Sequence, residues 1–442
     1  MLFRKEYGFM SNMYPSPIFV HINGRRLLFN NVEAAYQAHK CPDRVDEFVG
    51  LDGITAKKLG RMVSVRPDWD DIKLDVMRTC IDAKFDSSAS LRQQLVDVTD
   101  SIVEDNTWGD TFWGRCNGYG SNYLGQILTQ KRDQIIKEKD TPVSRNKGNS
   151  IIDFPDEYVV IDLETTGINP RYERIIEVSA LRCNNGNVQS YFSTLIHPMK
   201  LIPGKISELT GITNDMVRDA PEIKDELPAF LKYVGDTPIV GYGVNFDINF
   251  IYDVNRKLNG TDFKNDYIDV MRMATKQLGG KKKLTDVAAH YGVNMSTAHR
   301  SLNDCVMCND CLTALKQDIL ASGKSLTDFK ALFDNDTSRS YTAGKNVIAI
   351  DDADSPYNGK SFKSSFGSYS FTDDDISHLI AGDEIEIKDF RTKAGKVIDI
   401  RGKLGQNRLP NGKFYFGFQR TDLRKSIDVP VSSASDDYNF SK

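Results

Sequence analysis

Apolar positions with regular spacing fall into three blocks along the chain, and polar stretches without such spacing separate them. The polar stretches are rich in Lys, Asp, Ser, Gly and Asn, which is typical of linkers and disordered tails. The pattern therefore predicts a multidomain protein with these parts: a first domain at 1–133, a linker at 134–152, a second domain at 153–322, a linker at 323–366, a small module at 367–425 and a disordered tail at 426–442.

The second block opens with an apolar strand, YVVIDLETTG, in which Asp162 and Glu164 stand two residues apart. Alternate side chains of a strand share a face, so both carboxylates are predicted on one face of the sheet. Asp247 is predicted near the start of a helix, and His299 and Asp304 at the start of and inside another. Burying like charges side by side is costly unless cations neutralise them.

In the first block, the stretch EAAYQAHK predicts a helix that Asn31 can cap. Its polar side chains share one helical face with a tyrosine, at positions Glu33, Tyr36, Gln37 and Lys40. The buried face of a helix is normally apolar, so a face of this kind is either exposed to solvent or lines a polar pocket. From this stretch alone, the exposed interpretation is favoured.

The chain has 442 residues, 40% of them hydrophobic and 27% charged, as expected for a globular protein of two or three domains. No apolar run approaches the roughly 20 residues of a membrane span, and the N-terminus carries no secretory segment. We therefore expect a cytoplasmic protein without membrane contact. The net charge of −4 means that nucleic-acid contacts must come from local basic patches.

Seven cysteines fit a reducing compartment better than a disulfide framework. Three of them recur at every third position in DCVMCNDCL, as Cys305, Cys308 and Cys311. A zinc site would need a fourth ligand and usually a loop. The segment is instead typical of a helix interior, where cysteine is a small core residue, so core packing is predicted.

Four carboxylates and one histidine are the groups that a two-metal phosphodiester hydrolase requires. Two cations about 3.5–4 Å apart stabilise the attacking and leaving oxygens, and carboxylate oxygens favour Mg²⁺ or Mn²⁺ over zinc. An imidazole with a pKa of about 6.5 can take a proton from the attacking water near neutral pH. The candidate ligands of two such ions are Asp162, Glu164, Asp247 and Asp304, and the candidate base is His299.

The second block resembles the DnaQ-like DEDDh 3′–5′ exonucleases over nearly its whole length, through DLETTG, KISELTGIT, GVNFDINF, NDYIDVMRMA and AHRSLNDC. The resemblance implies an RNase H-like α/β domain with a mixed five-stranded sheet, metal binding by the four acids, and His299 as general base. It also implies that Thr165 and Thr166 contact the 3′-terminal nucleotide. Tyr242 and Gly243 depart from the family, in which a His-Asn pair precedes the third acid.

The first block resembles the NADAR (YbiA-like) family over almost all of residues 1–131, through SNMYPSPI, VEAAYQAHK, AKKLGR, DWDDIK, TWGDTFWG and NYLGQIL. These proteins are small, mostly helical N-glycosidases, so the resemblance implies hydrolysis of a ribose–nitrogen bond. The substrates that it implies are ADP-ribose attached to guanine or early riboflavin-pathway intermediates. In this context the polar helix face is predicted to line a pocket.

Cleavage of an N-glycosidic bond builds oxocarbenium character, which a carboxylate can stabilise while an acid protonates the leaving base. Alternatively, the amine of Lys40 attacks the anomeric carbon and forms a Schiff base, with Glu33 managing the proton. No cofactor is expected for this domain. The candidate carboxylates are Glu33, Glu104 and Asp110, and the candidate substrate contacts are Lys57 and Arg61 for a pyrophosphate, Glu104, Trp113 and Trp108 for a base or sugar, and Asn122 for a ribose.

The third block predicts a small α+β module, a short helix followed by strands. Between Lys388 and Lys425, eleven Lys and Arg stand against three Asp. Basic groups interleaved with aromatic rings are typical of single-strand binding, although alternating aromatics are also ordinary strand core. The segment is similar to the C-terminal repeat of bacterial type IA topoisomerases over about 50 residues, which favours DNA binding. The rings are Phe390, Phe414, Tyr415, Phe416 and Phe418.

Together these patterns predict an enzyme that binds single-stranded DNA or DNA 3′ ends, or RNA, removes ADP-ribose from guanine bases and trims the end. DNA repair and phage counter-defence both fit such a protein. Two alternatives stay open for the first domain: it hydrolyses a small nucleotide such as a riboflavin precursor, or it only binds ADP-ribose. The sequence does not define an oligomeric state.

Overall fold

The computed structural model describes residues 3–140, 145–280, 282–295, 300–334, 341–344, 347–350, 357, 359–366, 369–391, 397–408 and 414–421. The chain forms two compact units, the first reaching Phe333 and the second continuing from Asp334. The first unit contains a mostly helical N-terminal domain and an α/β domain, and the second is a small strand-rich module. This confirms the predicted multidomain fold class. None of the described helices combines the length and apolar character that a bilayer crossing requires.

The N-terminal domain builds its core from one hairpin and a set of helices. Short 3₁₀ turns lie at Lys5–Met10 and Pro42–Glu47. The strands and helices are β1 (Ile18–Ile22), β2 (Arg25–Phe29), α1 (Val32–Ala38), α2 (Gly53–Gly60), α3 (Trp69–Ser87), α4 (Ala89–Asp97), β3 (Asp105–Asn106), β4 (Arg115–Cys116) and α5 (Tyr123–Asp140).

Local sequence explains how the hairpin turns and where the first helix begins. Asn23 and Gly24 have φ angles of 50° and 73°, as the central residues of a tight two-residue turn require. The side chain of Asn31 accepts a hydrogen bond from the amide of Ala34 at 2.8 Å. Asn31 therefore caps α1 as predicted.

The α/β domain follows, and its elements alternate between strands and helices. They are β5 (Glu157–Thr165), β6 (Ile175–Asn184), β7 (Asn187–Leu195), α6 (Gly204–Thr210), α7 (Ile223–Val234), β8 (Ile239–Gly241), α8 (Asn245–Asn259), β9 (Tyr267–Asp269), α9 (Val270–Leu278), α10 (Leu284–Tyr291), α11 (Ser301–Ala321) and α12 (Leu326–Asp334).

The five strands of this domain form one sheet in the order β7-β6-β5-β8-β9. The pairs β5–β6 and β6–β7 are antiparallel, whereas β5–β8 and β8–β9 are parallel. The predicted α/β domain with a mixed five-stranded sheet is therefore confirmed. Strand β5 lies at the centre, with β6 on one side and β8 on the other.

Helices cover both faces of the sheet, which explains why β5 and β6 are apolar almost throughout. One face packs against α7 and α8, and the opposite face packs against α11. Cys305, Cys308 and Cys311 lie on α11 in this second core. Burial raises the pKa of the Cys305 and Cys308 thiols, so they stay protonated. The prediction of core packing is confirmed for these cysteines.

The N-terminal hairpin lies against the α/β domain, and we call the contacts between the two domains the domain seam. Phe19 packs edge-on against the ring of His197, with centroids 4.6 Å apart. Burial lowers the pKa of His197 to about 4, so its ring is neutral at pH 7. Beside it, His21 contacts the carboxylate of Glu222 at 2.6 Å.

A second patch of the domain seam involves α4 and the end of α5. The guanidinium of Arg92 lies over the ring of Tyr172, 4.2 Å from its centroid. Ion pairs with Asp86 and Glu138, each at 2.8 Å, hold Arg92 in place, and Arg171 donates to the Glu138 carbonyl. Because the two patches come from separate segments, they fix the orientation of the two domains within this unit.

The linker predicted at 134–152 needs correction, because helix α5 continues to Asp140 and the residues from 145 onward join the α/β domain. The amide of Ile151 donates to the carbonyl of Tyr267 at 2.8 Å, which extends the sheet beyond β9. Arg145 pairs with Asp253 at 2.6 Å. The polar composition that suggested a linker here reflects side chains that pair with other elements.

Within its described residues, the second unit contains three small sheets and one helix. Its sheets have the orders β10-β11-β12, β13-β14 and β15-β16-β17. The elements are β10 (Tyr341–Gly344), β11 (Val347–Ile350), β12 (Ser361–Lys363), β13 (Ser365–Phe366), β14 (Tyr369–Ser370), α13 (Asp373–Ala381), β15 (Ile385–Arg391), β16 (Val397–Arg408) and β17 (Phe414–Arg420).

The linker predicted at 323–366 is wrong at both ends. Phe329 and Phe333 of α12 are buried in the core of the α/β domain. Ile348 and Phe362 are buried in the core of the second unit, so the module begins before residue 367. The apolar residues of this stretch are short runs among Ser, Asp and Gly, too few for a period to be recognised. The remaining boundaries stay predictions.

Aromatic rings of the module pack inward. Phe390 and Phe418 are buried in its core, so they are core residues and not exposed stacking surfaces. Phe416 is half-buried. The side chains of Phe414 and Tyr415, and the tail at 426–442, lie outside the described residues.

Replacing Phe329 with Ala should lower the free energy of unfolding of the first unit by about 3–5 kcal/mol, because the ring is fully buried. Leu332→Ala in the same helix is the matched control, since 39% of that residue is exposed and its loss should cost under about 1 kcal/mol. Urea unfolding of the full chain compares them. Equal effects would exclude α12 from this core.

Candidate functional site

Strand β5 presents two carboxylates on the face that packs against α11. Asp162 and Glu164 are half-buried, whereas Leu163 and Thr165 between and after them are buried on the other face. This is the alternation that the sequence predicts. In the antiparallel pairing with β6, Asp162 lies opposite Ser179.

Helix α11 supplies a third carboxylate to the same place. Carboxylate oxygens of Asp162, Glu164 and Asp304 all lie within 4.8 Å of one another. Hard oxygen ligands at this spacing are the donor set that Mg²⁺ and Mn²⁺ prefer. The three acids therefore form a candidate cation site, which we call the acid cluster.

The fourth predicted ligand, Asp247, is buried beside the acid cluster at the start of α8. Its Oδ1 accepts a hydrogen bond from the Leu163 amide at 3.0 Å, so it is tied to the backbone between the two acids of β5. Its charge also raises the pKa of Asp162. Asp247 thus neighbours the cluster, although it is not one of the three acids within 4.8 Å.

The electrostatics of the acid cluster favour positive charge. Burial raises the pKa of Asp162 well above its ordinary value. Burial and the charge of Asp304 together raise the pKa of Glu164 to about 8, although Arg300 opposes the shift. Since each carboxylate would be more stable protonated or neutralised, a bound cation relieves the repulsion among them.

Several residues around the acid cluster were missed by the sequence reasoning. Glu177, near the start of β6, is directly opposite Glu164 and is buried. Its carboxylate binds Arg300 and Ser301 at the start of α11. A lone glutamate within the apolar run IIEVSAL is a usable signal, because buried acids are rare unless paired.

Three other residues were predicted for the exonuclease site: Thr165, Thr166 and His299. The hydroxyl of Thr165 donates to the Gly167 carbonyl at 2.7 Å, and that of Thr166 donates to Glu173. Both hydroxyls are thus engaged within the protein, and contact with a nucleotide stays a prediction. His299 lies outside the described residues, so its role as base also stays a prediction.

The departure at Tyr242 and Gly243 has a structural explanation. Tyr242 donates its hydroxyl to the carbonyl of Lys282 at 2.7 Å. Gly243 has a φ of 70°, where a side chain would be strained, and its amide donates to Asp269 at 2.8 Å. The pair therefore organises the ends of β8 and β9, and neither residue belongs to the acid cluster.

The N-terminal domain contains a cavity of about 260 Å³, and nearly all its predicted site residues line it. The wall includes the whole polar face of EAAYQAHK, so that face lines a pocket. The exposed interpretation of the stretch is therefore wrong: Glu33 is only 6% exposed and Gln37 5%. The predicted residues on the wall are Glu33, Lys40, Lys57, Arg61, Glu104, Trp108, Asp110 and Trp113.

The three candidate carboxylates of this cavity are held in different ways. Glu33 accepts a hydrogen bond from the Gln37 amide at 2.7 Å. Asp110 accepts from the backbone amide of Trp113 at 2.9 Å, which places that ring in the wall. Burial and the charge of Asp110 together raise the pKa of Glu104 to about 7.

Lys40 lies just beyond the end of α1, not within the helix as the spacing suggested, because α1 ends at Ala38. Its Nζ is 5.7 Å from the ring centroids of both Tyr36 and Trp69. Burial lowers the pKa of Lys40, and the nearby positive charges of Lys57 and Arg61 lower it further. A lysine in this setting has a larger share of neutral, nucleophilic amine.

The predicted contact between Asn122 and a ribose is not supported by the structure. Asn122 is buried behind the cavity wall. Its amide donates to the carbonyl of Ile102 and accepts from the amide of Glu104, both at 3.0 Å. Because both polar atoms are used in this way, Asn122 positions Glu104.

Two family descriptions match the chain. Residues 159–311 match the Exonuclease family, and residues 2–136 match the NADAR domain. These segments contain the acid cluster and the N-terminal cavity, respectively.

Individual relatives are similar to part of the chain. DNA polymerase III subunit epsilon of Aquifex aeolicus is 34% identical over 183 residues, which cover 41% of this chain and 90% of that protein. A PolC-type DNA polymerase III of Clostridium perfringens is 39% identical over 153 residues, 34% of this chain but only 10% of that protein.

The first domain is also similar to a solved structure. The NMR structure of the E. coli protein YbiA is 28% identical, with a TM-score of 0.29, covering 33% of this chain and 90% of that protein. The chain carries a NADAR domain in its N-terminal third, and through its α/β domain it belongs to the exonuclease family that includes the epsilon subunit of DNA polymerase III.

Proposed function

We propose that the protein is a metal-dependent 3′–5′ exonuclease acting on DNA ends, and that its NADAR domain is an N-glycosidase that removes ADP-ribose from guanine bases. The observation that carries the first part is the acid cluster, three carboxylates from β5 and α11 within 4.8 Å. The relative named as a DNA polymerase subunit supports DNA as the polymer. The second part rests on the charged cavity within a NADAR domain.

The acid cluster fits divalent cations by its chemistry. Its donors are hard carboxylate oxygens, and burial together with neighbouring acids raises the pKa of Asp162 and of Glu164. Asp162, Glu164 and Asp304 would hold Mg²⁺ or Mn²⁺, with Asp247 as the fourth acid at the site. When bound, two such ions supply the positive charge that stabilises the attacking and leaving oxygens of a phosphodiester.

The protein's own residues orient the reaction. Asp247 keeps β5 in place through the Leu163 amide. His299 stands two residues before the start of α11, the helix that carries Asp304, and in the proposed mechanism it takes the proton of the attacking water. Attack on the last phosphodiester then releases one nucleotide from the 3′ end.

In the N-terminal cavity, Glu104 is the proposed acid and Lys40 the proposed nucleophile. The Nζ lone pair forms a bond to the anomeric carbon while the bond to the guanine nitrogen breaks. The electron pair moves to the base, which takes the proton of Glu104. Loss of the ammonium proton and opening of the ribose ring give a Schiff base. Water then releases ADP-ribose and restores the amine.

The remaining wall of the cavity suits a nucleotide. Lys57 and Arg61 provide positive charge for a pyrophosphate, and Trp113 provides a ring for stacking. Trp108 is 53% exposed at the cavity wall, where it can cover a ligand that remains attached to a strand. ADP-ribose on a guanine base offers all the groups that these side chains recognise.

The second unit is proposed to hold nucleic acid by its phosphates. Lys388, Arg401 and Lys403 are exposed on the β15–β16–β17 sheet. Since Phe390 and Phe418 are buried, we assign the contact to charge and not to stacking by these rings. A role in DNA repair or in phage counter-defence follows if ADP-ribosylated ends are the substrate.

Asp162→Asn should reduce Mg²⁺- or Mn²⁺-dependent digestion of 5′-labelled single-stranded DNA to background, because the cluster loses one anionic ligand. Asp236→Asn is the matched control, since Asp236 is exposed and lies outside the cluster. Release of labelled fragments is followed on a gel. Digestion by the Asp162 variant at the control's rate would refute this assignment.

Stability without metal should fall as the pH rises from about 5 to about 8. The folded chain holds the proton of Glu164 up to about pH 8, whereas the unfolded chain releases it near 4.5, so folding takes up a proton within this window. Melting temperatures with EDTA and with Mn²⁺ test this, and Mn²⁺ should stabilise more at pH 8 than at pH 5. Glu164→Gln should flatten the dependence, unlike Glu157→Gln, an exposed glutamate of the same strand. An unchanged slope in Glu164→Gln would contradict the assignment.

Lys40→Ala should stop release of ADP-ribose from an ADP-ribosylated guanine oligonucleotide, and Glu104→Gln should slow it by about 10²–10⁴-fold. Borohydride should trap a covalent adduct with the wild type but not with Lys40→Ala. Lys58→Ala is the control, because Lys58 is exposed next to the cavity-lining Lys57. Release of ADP-ribose is followed by mass spectrometry.

Three other results would redirect the glycosidase assignment. Full turnover in Lys40→Ala would place the nucleophile elsewhere. Hydrolysis of a free nucleotide alone would favour the metabolite-directed enzyme. Tight binding without release would make the domain an ADP-ribose-binding module.

A further inference from the structure

A buried glutamate lies behind the acid cluster, on the strand next to β5. Glu177 is the third residue of β6, directly opposite Glu164, and only 2% of it is exposed. It is not among the three carboxylates of the acid cluster. A buried carboxylate destabilises a fold unless its charge is matched and its oxygens are hydrogen-bonded.

Both oxygens of Glu177 are bound to the start of α11. Arg300 donates to Oε1 from Nη2 at 2.6 Å and from Nε at 3.1 Å. Ser301 donates to Oε2 from its backbone amide at 3.0 Å and from its hydroxyl at 2.9 Å. We call this arrangement the helix clamp.

The helix clamp replaces an ordinary N-cap. The N-cap residue of α11 is Arg300, whose side chain makes no capping hydrogen bond. First-turn amides of a helix lack intrahelical partners and carry partial positive charge, so an anion there is favourable. In α11 that anion is supplied from the sheet, by Glu177, and not from the helix's own sequence.

A second residue of β6 supports the same contact. Ser179 is two residues after Glu177 and therefore on the same face, opposite Asp162. Its hydroxyl is hydrogen-bonded to that of Ser301 at 2.7 Å. The two positions of β6 that face the two acids of β5 thus both hold the first residue of α11.

The clamp acts at the point where α11 contributes to the site. Asp304 follows Ser301 by three residues, and its amide donates to the Arg300 carbonyl at 3.0 Å. His299, the proposed base, immediately precedes Arg300 in the chain. A shift of the first turn of α11 therefore moves the Asp304 carboxylate relative to Asp162 and Glu164.

We propose that Glu177 is a positioning residue, which sets the distance between the carboxylates of β5 and that of Asp304 by clamping the first turn of α11 through Arg300 and Ser301. The inference rests on the proposed exonuclease function but concerns geometry that metal binding alone can report. The competing interpretation is an ion pair that only stabilises the fold.

Glu177→Gln tests the proposal, since it keeps the size of the side chain but removes the charge that pairs with Arg300. The matched control is Asp253→Asn, which breaks the two-pronged ion pair with Arg145 in the same domain, away from the start of α11. Both variants are prepared in the full chain. The readouts are Mn²⁺ affinity by electron paramagnetic resonance without DNA, the melting temperature, and kcat and KM on single-stranded DNA.

We expect Glu177→Gln to weaken Mn²⁺ binding and lower kcat, each by about 10–100-fold, as removal of a residue that orients metal ligands typically does. KM should change less than about twofold, because the clamp does not touch the substrate. Asp253→Asn should lower the melting temperature while leaving Mn²⁺ affinity and kcat unchanged. If Glu177→Gln does not fold, Arg300→Met serves instead, because 43% of the Arg300 side chain is exposed.

The outcomes separate the clamp from the proposed function. If both variants lose only thermal stability, the clamp is a structural ion pair and the proposal is overturned. If the wild type binds Mn²⁺ but digests no DNA, the exonuclease proposal fails. In that case a selective loss of Mn²⁺ affinity in Glu177→Gln still supports the clamp.

Discussion

Repulsion among carboxylates at the centre of one sheet is the constraint on which the α/β domain depends. Asp162 and Glu164 share a face because a strand alternates, and α11 brings Asp304 to the same place. The other buried acids near these carboxylates are stabilised by a hydrogen bond or an ion pair. Asp247 is bound to a backbone amide, and Glu177 is matched by Arg300. The pKa values of Asp162 and Glu164 in the acid cluster are raised by burial and by neighbouring acids, so a cation gains most from binding there.

The wall of the N-terminal cavity carries charges of both signs. Burial and the charge of Asp110 raise the pKa of Glu104 to about 7, whereas burial and the charges of Lys57 and Arg61 lower the pKa of Lys40. Both pKa values move toward neutral pH, where Glu104 can donate a proton and Lys40 can act as a neutral amine. One site of the chain thus concentrates a single sign of charge, and the other balances two signs.

Local patterns in the sequence were sufficient for much of this picture. Strand alternation predicted the shared face of Asp162 and Glu164, and the Asn31 cap marked the start of α1. The burial of Glu33 could not be predicted from the sequence, because it depends on cavity walls supplied by α2 and by the segment around Glu104. Glu177 was missed for the same reason: its partners are 123 and 124 residues away along the chain. The predicted linkers failed where polar residues pair with distant elements.

The domain seam has a mechanical consequence. Two patches hold the NADAR and exonuclease domains in a fixed orientation, so a flexible linker is not their only connection. One patch lies around Phe19 and His197 and the other around Arg92 and Tyr172. If one polynucleotide is the substrate of both proposed activities, it must itself bend to reach the N-terminal cavity and the acid cluster. Duplex DNA is stiff, with a persistence length of about 150 base pairs. A single strand bends between two fixed points at little elastic cost.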